Sequence, residues 1–316
     1  MLLLAALGMT FAIGAIVSMS DDDDAVSETE TNGGSSENGS ESGTETSTSF
    51  FGLFDDDDVE GGDGNDTLYG GGGDDTLSGG AGSDGLDGED DNDNLDGGAG
   101  LDVLQGGYGN DYLEGGSGDD FLQGESNDDT LNGGADNDGL HGGNGADVLN
   151  GGSGNDLLNG ASLGIDDALL EEWLDDFNSG QSTTSLGNDQ TIIVDDYIGD
   201  QLDGGEGQDT LIGGAFDVLT GGEGSDEFVA GDWSKSGYAA TVTDFDSSDD
   251  MIVYRYDETD AEPTMTANSS VNSDGTVNVE IFADGISVMM LENTDSNFDL
   301  STHLTLVASP IAPAYV

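Results

Sequence analysis

Between Gly61 and Asn159 one apolar side chain returns at every ninth residue, and most of what lies between is glycine or polar. Leucine fills this place eleven times, from Leu68 to Leu158, without insertion or deletion. The spacing fits neither an amphipathic helix nor a long alternating strand. It does fit a three-residue strand around each leucine followed by a six-residue turn. Two units then make one coil of 18 residues, with leucines from its two sides meeting inside. One unit buries too little to order itself, so the coils must stack and build a core along the row. "GLFDDDDVE" at 52–60 reads as a degenerate leading unit, with Asp57 and Val59 in the repeat's places.

The pattern changes on either side. Residues 2–19 are uncharged and mostly apolar, which predicts for 1–20 either a cleaved signal peptide or a membrane anchor. Residues 21–49 hold almost nothing apolar and read as a flexible acidic linker. "FFGLF" at 50–54 opens the repeat array of 50–159. The phase breaks at 160–199. There Leu169, Leu170, Trp173, Leu174 and Phe177 share one face of a predicted helix over 166–177, read as a cap on the broken array, and "TIIVDDYI" reads as a strand. Units resume over 200–231, where "GGAFDVLT" at 213–220 is one residue short, a deletion that threatens an ion site. From 232 to 316 glycine gives way to β-branched and aromatic residues. Strands are expected in 238–245, 251–256, 276–282 and 286–292, the last two joined as a hairpin by "ADG", and together they form a β cap.

Composition narrows what such a solenoid does. The chain has 69 acidic residues against two basic ones, a formal net charge of −67, and no cysteine. Self-repulsion of this size opposes a compact state unless cations join it. Nucleic acid and anionic lipid surfaces are poor partners for the same reason.

The charge is in register. The first place of the unit is glycine and the sixth aspartate in all eleven copies: Asp66, Asp75, Asp84, Asp93, Asp102, Asp111, Asp120, Asp129, Asp138, Asp147 and Asp156. Asp57 precedes this series, and Asp200, Asp209, Asp217 and Asp226 continue it. The fourth place is glycine in eight copies and otherwise Asp91, Asn127 or Asp136, the side chains that best tolerate positive φ. Stacking at about 4.7–4.9 Å sets the sixth-place aspartates in like-charged columns that repel unless cations lie between them. Glycine turns expose carbonyls and aspartates add carboxylates, an all-oxygen set suited to calcium. Magnesium is second, since it demands a stricter octahedron. Zinc would want histidine or cysteine. The sixteen aspartates are therefore the candidate ligands of multiple calcium ions, whose binding energy becomes folding energy.

The phrase GGxGxDx(apolar)x resembles the repeats-in-toxin (RTX) or haemolysin-type calcium-binding nonapeptide. The resemblance implies an all-β fold: a right-handed parallel β-roll of nonapeptide repeats, here with a short helical insertion and a C-terminal β cap. Calcium would lie between successive turns, with aspartates 18 residues apart, such as Asp102 and Asp120, flanking one column of ions. It also implies an extracellular or cell-surface protein that leaves the cell by a type I secretion system and folds in external calcium. "TVTDFDSSDDMI" at 241–252 resembles the segment after the roll in secreted RTX proteases, and the C-terminal tail is where such a family's export signal lies.

No catalytic constellation accompanies the array. There is no HExxH, and the only histidines are His141, expected to be exposed, and His303. No threonine occupies the third place of any of the eleven units, which removes the ice-binding reading known for some such solenoids. The expectation is a calcium-binding protein without enzyme activity. The alternatives are a surface adhesin or matrix protein using the roll as a stiff spacer, and the calcium-stabilised module of a secreted enzyme. The acids at 244, 246, 249 and 250 are either a further ion site or solvated loop residues.

Overall fold

Twelve short strands, β3 (Asp58–Asp63) to β14 (Leu157–Asn159), alternate between two parallel sheets as the chain winds through the repeats. This computed structural model describes residues 30–32, 47–164, 192–194, 197–234, 238–257, 259–273, 275–294 and 297–309. Each strand holds the last three places of one unit and, in most cases, the first three of the next. Hydrogen bonds join residues 18 apart: Leu68 pairs with Leu86, then Leu104, Leu122, Leu140 and Leu158, and on the opposite sheet Leu77 leads through Leu95, Leu113 and Leu131 to Leu149. Side chains alternate faces along a strand, so a residue every nine places turns inward on both sheets. All eleven leucines are buried in one continuous row. β1 (Glu30–Asn32), in the stretch read as linker, and β2 (Ser49–Phe51) lead into the first sheet, with Phe50 at the leucine place beside Leu68.

The fold is the all-β parallel β-roll that the sequence predicts. The row is thin, so a gap in it has few neighbours to close over it. Leu122→Ala is expected to destabilise the calcium-loaded roll by about 2–5 kcal/mol, measured by denaturant unfolding at fixed calcium.

The insertion leaves the coil unbroken. β14 pairs with β18 (Thr210–Ile212), and β13 (Val148–Ser153) with β17 (Gln201–Gly207), so the roll resumes as though the intervening residues were absent. The insertion's ends form an antiparallel pair, β15 (Ser162–Gly164) with β16 (Ile192–Val194). The predicted helix at 166–177, like the apolar segment at 2–19, lies outside the described residues. No helix among the described residues is long and apolar enough to cross a membrane.

The C-terminal region continues both sheets. β20 (Glu227–Gly231) pairs in parallel with β22 (Met251–Asp257), and β22 with β26 (Leu304–Ser309). β19 (Val218–Gly224), β21 (Ala240–Val242) and β25 (Ile286–Thr294) extend the second sheet, which ends in the antiparallel strands β24 (Val277–Ala283) and β23 (Met265–Val271). The hairpin expected at "ADG" is present. Asp284 and Gly285 both have positive φ, at 51° and 85°, as a type I′ turn requires. Phe245 fills the interior here, its ring 6.0 Å from Phe228 and 5.8 Å from Phe298.

Backbone strain marks two departures from the repeat. The second place has positive φ, and there Glu89 and Glu125 stand at +73° and +79° where neighbouring coils have glycine. Glu125→Gly is expected to stabilise the roll by about 1 kcal/mol, since a side chain in this region costs about that much, read by the same unfolding measurement. Asp91, Asn127 and Asp136 adopt positive φ as the fourth place predicts.

Candidate metal centre

Each turn folds its aspartate inward. From Asp66 to Asp226 the sixth-place aspartates are buried, while Asp57 at the open end is half-buried. One carboxylate oxygen, Oδ1, accepts the backbone N–H of the aspartate one coil earlier. Asp102 donates to Asp120 at 2.9 Å and Asp120 to Asp138 at 2.8 Å. Two columns result. One begins with Thr48 donating to Asp66 and runs through Asp84, Asp102, Asp120, Asp138, Asp156, Asp209 and Asp226. The other begins with Asp57 donating to Asp75 and runs through Asp93, Asp111, Asp129, Asp147 and Asp200 to Asp217. The step across the insertion, Asp147 to Asp200 and Asp156 to Asp209, spans 53 residues instead of 18, yet each bond is 2.8 Å. The structure thus gathers all sixteen predicted residues into these two columns.

The second oxygen, Oδ2, has no donor in Asp66, Asp75, Asp84, Asp93, Asp102, Asp111, Asp120, Asp129, Asp138, Asp156 or Asp209. It lies against the first glycine of its own turn. A Cβ on Gly115 would sit 2.6 Å from Asp120 Oδ2 and 2.8 Å from the carbonyl oxygen of Gly133 on the next coil. That glycine has no positive φ, so space rather than backbone conformation demands it. A buried, unpaired carboxylate oxygen is costly. Burial, the largest cause, raises these groups well above their usual range: Asp75, Asp102 and Asp111 to about 6, Asp84, Asp93 and Asp156 to about 7, Asp120 and Asp129 to about 8, and Asp138 to about 9. Neighbouring acids such as Asp119 and Asp128 push in the same direction, while the N–H donor to each Oδ1 opposes it.

These residues fit calcium. Orphaned anionic oxygens sit beside backbone carbonyls, with no lysine or arginine in the eleven units. No three acidic, histidine or cysteine side chains converge as a metal cluster among the described residues, so an ion here would draw on carbonyls as well as carboxylates. Calcium accepts such mixed, irregular oxygen sets. Bound, it would supply the positive charge that lets both oxygens of each carboxylate remain ionised.

Several features escaped the sequence reading. A second ladder runs on the turn surface at the fifth place, in the opposite direction. Asn92 N donates to Asp74 Oδ1 at 3.1 Å, Asn110 N to Asn92 Oδ1 at 2.9 Å, and Asn155 N to Asn137 Oδ1 at 2.9 Å. Each such turn is therefore tied to the coil on either side. Asp250 prolongs the first column, accepting from Asp226 N at 3.0 Å. "DMIV" at 250–253 spells the end of a unit without its glycines, with Ile252 paired to Phe228 at the core place. Asp244 accepts from Gly221 N and Gly222 N on the preceding coil, and Asp246 from Ser248 N in its own loop, so backbone donors hold these acids.

One expectation is corrected. His141 is not exposed: it is 2% accessible, in register between Gln123 and Asn159, and the insertion's β15 lies against its strand, β12 (Gly139–Asn144). Its Nδ1 lies 3.3 Å from Asn159 O, and burial holds its pKa down to about 4. It stands in the sheet, apart from the carboxylate columns.

The family model for the RTX calcium-binding nonapeptide repeat matches residues 51–86, 87–122, 123–158, 199–215 and 216–232. No curated protein matches the chain in sequence. Among solved structures, the extracellular lipase LipA from Serratia marcescens aligns at 14% identity and a TM-score of 0.21, over 84% of this chain and 40% of the lipase. The chain thus spans 40% of that protein's length. The repeats, the register of the turns and the family match agree: over residues 51–158 and 199–232 the chain carries RTX calcium-binding nonapeptide repeats.

Proposed function

We propose that this protein works outside the cell, secreted or held at the cell surface, as a non-catalytic β-roll that becomes ordered on meeting calcium. The observation that carries this reading is the row of eleven buried carboxylate oxygens without donors. Where calcium is scarce, these groups oppose folding. At about 10⁻⁴–10⁻³ M calcium, the range of extracellular modules, they favour it. The same chain would then stay open before export and close after it, which suits a type I secretion route. The absence of an HExxH motif supports a structural rather than a proteolytic role.

Within this reading the roll serves as a stiff spacer that presents a surface or matrix contact. Twelve strands of the first sheet among the described residues, at a spacing of about 4.8 Å, make a rod on the order of 50 Å long. Antibody raised against the roll tests the location. It should label intact host cells or their medium in millimolar calcium, and labelling confined to permeabilised cells would contradict the reading.

A further inference from the structure

The two aspartate columns end differently from the way they run. In the interior rungs Oδ1 is bonded to the preceding coil and Oδ2, in the eleven residues named above, has no donor. At the last rung of each column both oxygens are bonded. Asp217 Oδ1 accepts from Asp200 N at 3.0 Å and its Oδ2 from Gly214 N at 2.5 Å. Asp250 Oδ1 accepts from Asp226 N at 3.0 Å and its Oδ2 from Asp246 N at 2.7 Å.

Local sequence explains each closure. The turn before Asp217 is the shortened one, "GGAFDVLT", in which Phe216 takes a positive φ of 73°. Its missing residue brings Gly214 N onto the carboxylate. The first glycine no longer faces that oxygen: a Cβ on Gly213 would meet a Leu219 methyl at 2.9 Å instead. The turn before Asp250 is built by Asp249 N and Asp250 N donating to Asp246 O, which aims Asp246 N at Oδ2. Neither column has an aspartate to continue to. Ala240 precedes the residue paired with Val218, and Thr302 falls at the matching place before β26. An anionic oxygen left open here would face half a site.

We propose that Asp217 and Asp250 are cation-free terminal rungs, each closing one ion column with a backbone N–H of its own turn in place of calcium. The one-residue deletion at 213–220 is then a terminator rather than a damaged repeat. The inference rests on the calcium reading of the interior rungs.

Bound calcium per full-length chain, counted by equilibrium dialysis and atomic emission at saturating calcium, separates the two. Asp217→Asn and Asp250→Asn should keep the wild-type count, while Asp129→Asn and Asp138→Asn should lose at least one ion each. A lower count in folded Asp217→Asn or Asp250→Asn overturns the terminal-rung proposal and leaves the calcium reading standing. Wild-type protein that binds no calcium overturns both. Should a terminal variant fail to fold, a crystal structure of the calcium-loaded wild-type chain decides. No cation should lie within about 2.6 Å, the calcium–oxygen contact distance, of either carboxylate, and one found there refutes the proposal.

Discussion

In chelator, the chain is expected to gain β structure as the pH falls from about 8 to about 5. The cause is the buried carboxylates, which burial raises from an ordinary 3.8 to about 6 at Asp75 and about 9 at Asp138. A group whose folded-state pKa is raised binds its proton more tightly when folded. Its contribution to stability is complete below the unfolded value and is lost as the pH rises through the folded one. For these columns the loss begins above the ordinary 3.8 and is complete only above about 6 at Asp75 and about 9 at Asp138. Protons at the low end of that window do part of what calcium does above it, removing the unpaired charge. Because both compete for the same oxygens, acidification should also raise the calcium concentration needed for half-saturation. Circular dichroism across a pH series, with and without chelator, checks both points. Loss of β structure on acidification in chelator would show that the carboxylates are not stranded as the structure implies.

Gly115→Ala should weaken calcium-dependent folding more than any surface change nearby. The added methyl would stand 2.6 Å from Asp120 Oδ2 and 2.8 Å from Gly133 O, closer than carbon and oxygen tolerate. Neither neighbour is a loose side-chain end: one is a buried carboxylate and the other is backbone. The coil must spread, and spreading it separates the oxygens that would share an ion. Overpacking of this sort costs about 1–3 kcal/mol, with a matching rise in half-saturating calcium. Ser117→Ala, two places on and exposed, is the control, and its effect should stay within about 0.5 kcal/mol. Equal behaviour of the two variants in a calcium titration would refute the tight site.

Much of this was legible in the sequence because the nine-residue period records a physical constraint at each place. Leucine at the eighth place reports the interior, aspartate at the sixth reports the columns, and Asn127 in place of glycine reports a positive φ. Other features were hidden where the constraint comes from tertiary contact. Asp250 was recognised as an acid but not as a rung, because its turn is built from Asp246 and lacks the glycines that define the unit. The continuity of the roll past residues 160–199 shows only in tertiary pairings such as Asp147 with Asp200, since register depends on the two ends meeting and not on what separates them. His141 was read as exposed because the ninth place points outward; the insertion's strand beside it is not encoded in the repeat. Glu89 and Glu125 break the glycine rule at positive φ, and we have no physical account of why they are there.

The most direct test is a calcium titration of the full chain at pH 7.5 followed by far-ultraviolet circular dichroism, with magnesium as the control. A cooperative rise of β signal at about 10⁻⁴–10⁻³ M calcium, absent or much weaker with magnesium, is the predicted result. A β spectrum already complete in chelator at that pH, and unchanged by calcium, would contradict the claim that cations between the turns hold this fold together.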